Sequence, residues 1–407
     1  GTANITFNPD VNSTVYDLSV NGSGNLYAVG WFTSIGGQTR NYIAKLNVTD
    51  GTVDAGFNPN ANSYVFALSL DSSENLYFGG AFTSIGGQKR NRIAKLNITD
   101  GTIDGVFNSN ADGNVNALSI DNSGNLYAGG LFTNIGGQIR NRIAKLNTTD
   151  GAADVTFNPD ANNYVKALKT DGSGSLYIAG GFTSIGGQAR NFIAKLNTTD
   201  GSADLVFDPN SGNTINALSL DESGNLYVGG AFTTIGGQAR NFIAKLNTTD
   251  GSADLTFDSN SSGAVHSLSL DDSGNLYAGG DFTNIGGQTR NRIAKLNTAD
   301  GSADVTFNPS VNNSVYALNC DDNGNLYAGG AFTSRYLSKL NTTDGTVDLT
   351  FPSAGAWVNS LCLSKYYPRL YVGGQFSRMG NFSYQGFDII HLAEGFPTAT
   401  ETFTVSE

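Results

Sequence analysis

The sequence predicts an all-β protein, specifically an eight-bladed β-propeller whose blades are four-stranded antiparallel sheets. Three observations lead to this fold: a repeat of 50 residues, short strand-like runs separated by tight turns within it, and equal numbers of each kind of run. Composition agrees, because charged residues are only 14% and Gly is 52 of 407, which disfavours a helical protein. A hydrophobic content of 39%, with 24 Phe and 17 Tyr, is enough to fill a core and excludes intrinsic disorder.

The repeat is defined here by its first strand, so that repeat 1 begins at Val15. This segment recurs in steps of 50 residues up to Val315, and an eighth copy begins at Val358, 43 residues later. The seventh repeat lacks six residues of the loop that reads Ile-Gly-Gly-Gln-x-Arg-Asn in the earlier repeats. Repeats stacked around an axis bury both faces of each sheet and leave only short, protected edges.

Repeat 2 illustrates the four predicted strands. The first covers residues 65–70 and is apolar on both faces, as expected of an inner strand. The turn 71–74, which reads Asp-x-Ser-Gly in other repeats, leads to a second strand at 75–83. The third strand is predicted at 91–97 and the fourth at 103–108, joined by a loop with the Asp-Gly pair that tight hairpins favour.

Closure of the ring is predicted from the two ends of the repeat array. The chain opens with a run that resembles a fourth strand, residues 5–8, whereas the last repeat ends on a third strand at residues 389–392. The N-terminal strand is therefore expected to complete the last blade, with seven blades as the alternative. Residues 1–395 form one predicted propeller, and residues 396–407 a C-terminal tail that is either a linker or a docking strand.

Three aromatic series and one Gly series recur in the repeats and are predicted to build the core. Gly occupies one position in all eight repeats, and the lack of a side chain there indicates a close approach between sheets. The series are Tyr27, Tyr77, Tyr127, Tyr177, Tyr227, Tyr277, Tyr327 and Tyr371; Phe32, Phe82, Phe132, Phe182, Phe232, Phe282, Phe332 and Phe376; Phe7, Phe57, Phe107, Phe157, Phe207, Phe257, Phe307 and Phe351; and Gly30, Gly80, Gly130, Gly180, Gly230, Gly280, Gly330 and Gly374.

Taken together, these motifs resemble the delta-60 repeat. The matching pattern is Gly-x-x-Asp-x-x-Phe, then Val-x-Ala-Leu, Asp-x-x-Gly-x-Leu-Tyr-x-Gly-Gly-x-Phe-Thr and Arg-Asn-x-Ile-Ala-Lys-Leu-Asn, and it extends over residues 1 to 392. The seventh repeat departs from it at the Arg-Asn loop, and the eighth is degenerate. The resemblance implies a β-propeller in an exported, mainly bacterial repeat protein, and it carries no activity and no catalytic residues.

Several function classes are excluded or disfavoured by the sequence. A net charge of −12 opposes binding to nucleic acid, and no apolar run reaches 18 residues, so membrane insertion is not expected. The histidines, His266 and His391, have neither triad partners nor metal-ligand spacing in the sequence. The repeated Asp-x-Ser-Gly turn supplies too few oxygens for Ca²⁺ and is expected to use Asp as a turn cap. We therefore expect no catalytic residues, no metal and no cofactor.

Basic residues repeat at two positions, and they allow two interpretations. In the first, Arg, Lys and Asp form one polar bridge per blade. In the second, the arginines form a ring on one face that binds an acidic partner or glycan, or that stacks head-to-tail on the acidic face of another copy. The arginines are Arg40, Arg90, Arg140, Arg190, Arg240 and Arg290; the Lys series runs from Lys45 to Lys339 and the Asp series from Asp54 to Asp348.

Further candidates lie where the repeats differ or where a sequon recurs. The position between the fixed Gly and Phe carries Trp31, Asp281 and Gln375, which are candidates for an asymmetric binding site. Cys320 and Cys362 are expected to be buried thiols, with a disulfide as the alternative. Candidate N-glycosylation sites in the predicted third-to-fourth-strand hairpin are Asn47, Asn97, Asn147, Asn197, Asn247 and Asn341.

The resulting functional prediction is a non-enzymatic, extracellular or cell-surface propeller that acts as a scaffold for binding or for assembly into a fibre. Near-identical repeats favour it, because a single active site needs polar residues that are specific to one blade. A multivalent glycan-binding lectin is the first alternative, weakened by a content of only two Trp. A propeller hydrolase or lyase is the second. The expected partner is a protein or glycan, including another copy of the chain.

Overall fold

The strands of this protein form a series of small antiparallel sheets that follow one another along the chain. A computed structural model describes residues 2–3, 11–48, 50–121, 123–221, 223–321, 323–333, 335–363, 369–376, 379 and 387–392. Strands and turns make up these residues, with no helix among them. In the part of the chain that the structure describes, no helix is therefore long and apolar enough to span a membrane.

Each repeat places its second strand in the middle of a sheet, between its first and third strands. The first strands are Val15–Val20, Val65–Leu70, Val115–Ile120, Val165–Thr170, Ile215–Leu220, Val265–Leu270, Val315–Asp321 and Val358–Leu363. The second strands are Asn25–Gly30, Leu76–Gly80, Leu126–Gly130, Ser175–Gly180, Leu226–Gly230, Leu276–Gly280, Asn325–Gly330 and Arg369–Gly374. The third strands are Ile43–Asn47, Ile93–Leu96, Ile143–Leu146, Ile193–Asn197, Ile243–Leu246, Ile293–Leu296, Leu337–Asn341 and Phe387–His391.

The fourth strand is where the sequence prediction was wrong. In repeat 2 the segment predicted at 103–108 makes one isolated bridge, Ile103 to Leu96, and then turns away. The reason is local, because the Oδ1 atom of Asp104 accepts hydrogen bonds from the main-chain N–H groups of Val106 and Phe107. A side chain that bonds its own backbone two and three residues on closes a turn in place of a longer ladder.

The loop between the second and third strands also differs from the prediction. In the first six repeats it forms a two-residue hairpin, closed in repeat 1 by Gly36 and Gly37 at φ of 58° and 68°. Both central residues have positive φ, as a type I′ turn requires, and Gly accepts this without steric cost. The hairpins pair Ser34–Ile35 with Gln38–Thr39, Ser84–Ile85 with Gln88–Lys89, Asn134–Ile135 with Gln138–Ile139, Ser184–Ile185 with Gln188–Ala189, Thr234–Ile235 with Gln238–Ala239, and Asn284–Ile285 with Gln288–Thr289.

The N-terminal strand Thr2–Ala3 pairs antiparallel with Phe387–His391, so the sheet of the eighth repeat has four strands. The run predicted as the closing strand, residues 5–8, and the tail 396–407 both lie outside the described residues. The chain divides into two compact units, residues 11–208 with the first four repeats, and residues 1–10 with 209–407, which hold the other four. Within each unit the first strand of one repeat contacts the first strand of the next.

Apolar clusters fill the spaces between successive sheets of a unit, and the predicted aromatic series supply their largest side chains. Between repeats 2 and 3, for example, Tyr77 packs edge-on against Phe107 with ring centroids 5.6 Å apart. The described members of the Tyr series, from here on the core tyrosines, are buried, and so are those of both Phe series. The predicted role of these aromatics in the core is therefore confirmed, except for Phe7, which lies outside the described residues.

The recurrent Gly has a different neighbour from the one that the sequence indicated. A Cβ on Gly130 would lie 2.0 Å from the carbonyl oxygen of Asn114, which directly precedes the adjacent strand of the same sheet and does not belong to the next sheet. The first strand carries a bulge there, which brings its backbone over the Gly. Close approach between sheets falls one residue earlier, where a Cβ on Gly129 would lie 2.5 Å from Cγ1 of Val165.

Candidate functional site

The six repeated arginines are buried and serve the frame, which corrects the prediction that they form an accessible binding ring. Arg40, Arg90, Arg140, Arg190, Arg240 and Arg290 are each no more than 7% exposed. In repeat 4 the guanidinium of Arg190 donates to the carbonyl oxygens of Phe207, Ala189 and Asp204 at 2.8–2.9 Å. Guanidinium groups that are consumed by main-chain carbonyls are not available to an acidic partner or to another copy of the chain.

Repeat 7 supports this structural role, because it lacks the loop but keeps a guanidinium in the same place. Arg335 donates to the carbonyl oxygens of Leu349 and Phe351. These correspond to Leu205 and Phe207, the carbonyls that Arg190 meets in repeat 4. Repeat 7 therefore lacks the loop that carries the arginine in repeats 1 to 6, but it keeps an arginine contact to the same turn after the third strand.

The repeated Lys and Asp pair as the first interpretation predicted, while the Arg of that interpretation contacts only the main-chain oxygen of this Asp; the Lys also reaches the next repeat. Lys95 Nζ lies 3.5 Å from Asp104 Oδ2 in its own repeat and donates to the carbonyl oxygen of Thr148 in the following one at 3.1 Å. It also lies 5.7 Å from the ring centroid of Tyr77, within range of a cation–π contact. The pairs are Lys45–Asp54, Lys95–Asp104, Lys145–Asp154, Lys195–Asp204, Lys245–Asp254, Lys295–Asp304 and Lys339–Asp348.

The Asp of the first-to-second-strand turn acts as the predicted turn cap. Asp121 Oδ1 accepts from the main-chain N–H groups of Ser123 and Asn125, and Oδ2 accepts from the Asn125 amide and the Tyr127 hydroxyl. Both carboxylate oxygens are thus occupied by the turn itself. Within the described ranges, no group of three or more His, Cys, Asp or Glu is placed to hold a metal ion.

The sequon asparagines lie on the surface, at the end of the third strand. Asn47, Asn97, Asn147, Asn197, Asn247 and Asn341 are all exposed. In repeat 2 the Oδ1 of Asn97 accepts a hydrogen bond from the main-chain N–H of Thr99 at 2.8 Å, and the same Asx turn recurs in later repeats. Cys320 is buried and Cys362 half-buried, and both are thiols.

The repeats diverge together at four positions that converge on one end of each sheet. In repeat 1 these are Thr14, Tyr16, Trp31 and Tyr42; they and their equivalents are called the variable face. The main-chain N–H of Trp31 donates to the carbonyl oxygen of Thr14, and the carbonyl oxygen of Tyr42 accepts from Gly30, so the four positions adjoin. The equivalents are Tyr64, Phe66, Ala81, Arg92; Asn114, Asn116, Leu131, Arg142; Tyr164, Lys166, Gly181, Phe192; Thr214, Asn216, Ala231, Phe242; Ala264, His266, Asp281, Arg292; Ser314, Tyr316, Ala331, Tyr336; and Trp357, Asn359, Gln375.

One position of the variable face is strained in every repeat where the structure describes it. Its residues have φ between 59° and 68°, yet they are Tyr, Arg or Phe: Tyr42, Arg92, Arg142, Phe192, Phe242, Arg292 and Tyr336. Elsewhere in the repeat a second left-handed position carries Asn or Asp, which tolerate this region, as at Asn60 and Asp160. Bulky side chains are thus held in a backbone conformation that is costly for any residue other than Gly, Asn or Asp.

On the first unit, the variable face carries a cluster of aromatic rings. Trp31 is 49% exposed, and its ring centroid lies 5.0 Å from that of Tyr64. Tyr64 also contacts Tyr42 at 5.7 Å and Phe66 at 6.4 Å, and Phe66 contacts Tyr16 at 5.8 Å. The five rings, from here on the aromatic cluster, come from two consecutive repeats and form a continuous half-exposed surface.

On the second unit, the variable face carries a polar cluster around Asp281. His266 Nε2 lies 2.8 Å from Asp281 Oδ2, and Ser314 donates its hydroxyl to Oδ1. The guanidinium of Arg292 donates to the carbonyl oxygens of Asp281 and Phe282. The hydrogen bond from His266, together with that from Ser314, holds the pKa of the Asp281 carboxyl below its usual range against the opposing effect of burial.

Because a carboxylate oxygen accepts, His266 Nε2 carries the proton that faces Asp281. The Asn216 amide donates to the carbonyl oxygen of Val265 at 3.3 Å and lies 3.4 Å from His266 Nδ1. A serine nucleophile needs a histidine base beside its hydroxyl, whereas here Ser314 and His266 both donate to one carboxylate. In this arrangement His266 and Ser314 together hold the Asp281 carboxylate in place.

The three residues singled out from the sequence, Trp31, Asp281 and Gln375, occupy one equivalent position of the variable face. Trp31 belongs to the first unit and the other two to the second. Gln375 donates its main-chain N–H to the carbonyl oxygen of Trp357, which is 46% exposed. Sequence reasoning missed the other three positions, although comparing the repeats column by column would have found them.

Comparison with known proteins identifies the repeat. The family model described as "Domain of unknown function (DUF5122) beta-propeller" matches residues 22–57, 75–107, 122–157, 172–207, 222–257, 273–307 and 322–351. Among solved structures, the computationally designed Ika8 protein is similar over 96% of this chain and 100% of its own, at 12% identity and a TM-score of 0.65. The WD40 beta propeller domain of Doa1 matches over 84% and 93%, at 13% identity and a TM-score of 0.48. A search of curated proteins finds no match. At such identities the structural likeness concerns the fold alone, an all-β repeat propeller.

Proposed function

Because this chain belongs to the family of beta-propeller domains of unknown function (DUF5122), we propose that it is a non-enzymatic binding scaffold whose variable face holds the partner. The observation that carries the proposal is that each repeat combines a constant frame with a set of positions that differ from repeat to repeat. Buried Arg, Tyr and Phe and half-buried Lys recur in a common frame, whereas the variable face, with the exposed Trp31, Asp281 and Trp357, differs from repeat to repeat and is strained at one of its positions. Exposed aromatic and charged side chains on a rigid frame are characteristic of recognition surfaces.

The proposal includes the delta-60 type of repeat, a single domain over residues 1–395, eight blades, and a ring closed by the N-terminus. Ala3 pairs with Ile390 in the eighth sheet, as Val53 pairs with Leu46 in the first. Leu46 pairs with Leu26 of the second strand, and Ile390 pairs with the equivalent Leu370 in repeat 8. Ala3 therefore occupies in the eighth sheet the position that Val53 occupies in the first. A crystal structure tests this: seven blades, the alternative, or an N-terminus unpaired with the last sheet contradicts it.

The non-enzymatic part of the proposal rests on the polar cluster around Asp281. His266 does not serve Ser314 as a base, because its Nε2 proton faces Asp281, and the group that accepts from the Ser314 hydroxyl is the Asp281 carboxylate, a weak base whose pKa is held below its usual range. The propeller hydrolase or lyase therefore remains the weaker alternative. The partner is a protein or a glycan, and stacking of copies through the six repeated arginines is withdrawn because those side chains are buried.

An extracellular or cell-surface location completes the proposal. It is supported by the Asn-rich, Cys-poor composition and by the exposed sequons in the third-strand turn. Expression in a glycosylating eukaryotic host tests the sequons, with Asn297 as an internal control. Asn297 makes the same Asx turn but is followed by Ala299 in place of Thr, so it cannot be an acceptor. Intact mass and peptide mapping should find glycan on Asn247 and none on Asn297; an unmodified Asn247 contradicts the prediction.

The binding function is tested with two ligand libraries and two variants. The native protein is screened against a glycan array and a phage-displayed dodecapeptide library. The test variant replaces Tyr16, Trp31 and Tyr64 by Asn, Ala and Thr, the residues that repeat 5 has at these positions. The control variant replaces the exposed Ile139 and Val155, which lie off the variable face, by Thr and Ala, again taken from other repeats.

Because each substitution already occurs in an equivalent repeat, both variants should keep the far-UV spectrum and melting temperature of the native protein. We expect selected ligands that contact the first unit to lose at least tenfold in affinity on the test variant and to keep their affinity on the control. A parallel variant of the second unit, Trp357→Thr with Gln375→Ala, covers the ligands of that unit. If every selected ligand binds all variants equally, the variable face is not the binding surface and the proposal fails.

A further inference from the structure

We propose that the aromatic cluster on the first unit is a stacking platform for a neutral sugar ring, a subsite with the half-exposed indole of Trp31 as its floor. This inference rests on the proposed binding function and names the ligand class for one part of the variable face. A pyranose ring presents one face of C–H groups and a periphery of hydroxyls. Its binding site therefore needs an exposed aromatic face beside free hydrogen-bonding groups.

The placement of tryptophan in this chain is the first support. The chain has two Trp, and both lie on the variable face, where Trp31 and Trp357 are 49% and 46% exposed. The core tyrosines, in contrast, are buried. Nothing in the frame needs an indole at these positions, because Ala stands in place of Trp31 in repeats 2, 5 and 7. An exposed indole leaves apolar surface in water, and a stacked ligand removes it.

The neighbours of Trp31 provide the second support. Tyr64 lies against Trp31 with the two ring planes tilted by 58°, so it forms a wall beside the indole and not a parallel stack. The hydroxyls of Tyr16, Tyr42 and Tyr64 find no hydrogen-bond partner among the described residues. Burial, together with the neighbouring Tyr64, raises the pKa of Tyr16. The Tyr16 phenol therefore remains a neutral donor and acceptor for ligand hydroxyls at physiological pH.

The surrounding chemistry favours a neutral sugar over a peptide or an acidic glycan. A peptide-binding surface joins its aromatic anchors to aliphatic side chains. Here most of the large exposed aliphatics, such as Val155 and Leu205, lie in the turn after the third strand, and Leu131 of the variable face belongs to repeat 3, outside the two repeats that form the aromatic cluster. A net charge of −12 repels sulfated and carboxylated glycans over the whole molecule. What the cluster offers is apolar aromatic surface with uncharged hydroxyls.

The test uses the whole chain, a glycan array and a variant series at one position. The array carries neutral hexose oligomers together with sulfated and uronic acid oligomers. The strongest neutral oligosaccharide is then titrated in solution by calorimetry against Trp31→Ala, Trp31→Phe and Ile139→Ala. Ile139 is the control, because it is 71% exposed and lies off the variable face, so its truncation removes exposed apolar surface outside the proposed subsite.

We expect Trp31→Ala to weaken binding at least tenfold, Trp31→Phe to keep affinity within about threefold, and Ile139→Ala to leave it unchanged, all with unaltered melting temperatures. Binding of acidic glycans alone, or neutral-glycan binding that Trp31→Ala does not weaken, overturns the inference. Selection of peptides but no glycan on the variable face also overturns it, while the proposed binding function stands. If neither library yields a ligand sensitive to the variable face, both proposals fail.

Discussion

Two adjacent glycines in repeat 3 are predicted to differ sharply in their tolerance of a single methyl group. A Cβ on Gly130 meets only backbone, with the carbonyl oxygen of Asn114 at 2.0 Å and Cα of Val115 at 3.0 Å. Relief needs the first and second strands to separate by more than an ångström, which breaks their pairing at the bulge. We expect Gly130→Ala to lower the free energy of unfolding by about 3 kcal/mol, at the upper end for overpacking.

Gly129 is one residue away and presents a softer obstacle. Its Cβ would meet Cγ1 of Val165 at 2.5 Å and otherwise only side-chain atoms, which can move aside. Burying the new methyl stabilises the folded state by about 0.8 kcal/mol, and replacing Gly reduces the freedom of the unfolded chain, which stabilises the folded state by about 0.5 kcal/mol more. These gains offset part of the steric cost. We therefore expect Gly129→Ala to cost about 1 kcal/mol or less. The chain already has Ala179 and Val29 at this position in two other repeats.

Equilibrium unfolding in guanidinium chloride, followed by far-UV circular dichroism, measures both losses. Gly137→Ala is the control for backbone strain, because Gly137 has φ of 76° and no other atom lies within 4 Å of the place that a Cβ would take. It should lose about 1 kcal/mol from the left-handed conformation alone. Equal losses for Gly129→Ala and Gly130→Ala, or a larger one for Gly129→Ala, would refute the assignment of the two contacts.

Three further predictions concern the Lys bridge, the core tyrosines and Ser314. Lys95→Met keeps the apolar stem but removes the contacts to Asp104 and Thr148, so thermal unfolding should show a loss of about 1–2 kcal/mol, against no loss for the exposed Lys89→Met. Burial raises the pKa of six core tyrosines above the ordinary 10.0. Above pH 10 these tyrosines therefore stay protonated in the folded protein, whereas they ionise in the unfolded chain. Stability is then complete below pH 10 and falls above it by about 1.4 kcal/mol per tyrosine and pH unit, visible as unfolding that coincides with the rise of tyrosinate absorbance at high pH. A fluorophosphonate probe should label the native protein no more than Ser314→Ala, and specific labelling of Ser314 would disprove the non-catalytic assignment.

The repeat made most of the strand order predictable, because one period defines the same strands eight times. The core tyrosines and the Lys–Asp pairs followed from residue type and spacing alone. The fourth strand was predicted wrongly, because its alternation of apolar residues is typical of a strand. It is interrupted by a turn in which Asp104 Oδ1 accepts hydrogen bonds from the main-chain N–H groups of Val106 and Phe107. The hairpin at Gly36 and Gly37 was missed because two-residue strands carry no periodicity.

The buried arginines show a different limit of sequence reasoning. An Arg in a Gly-rich loop looks exposed, and nothing in the sequence tells that carbonyls of a turn 14 to 17 residues later will surround it. Repeat 7 indicates the structural role already in the sequence, because it lacks the loop but has Arg335 in place of the loop arginine. Of the four positions of the variable face, the sequence indicated only the one that carries Trp31, Asp281 and Gln375. The other three positions are distant in sequence, and they become neighbours only because the first and third strands pair on either side of the second.

The strained position of the variable face bears on why the frame is so uniform. A non-Gly residue at positive φ costs about 1 kcal/mol, and the structure has seven such residues of Tyr, Arg or Phe at this one position. Local stability alone favours Asn or Gly there, as at Asn60. The repeated frame, with its buried guanidinium and Lys bridge in each unit, supplies the stability that this position gives up. The two units then carry chemically different surfaces, aromatic around Trp31 and polar around Asp281, on the same backbone. Differing side chains on a constant frame are what the proposed recognition function requires, and the variable faces of the two units should therefore select different ligands.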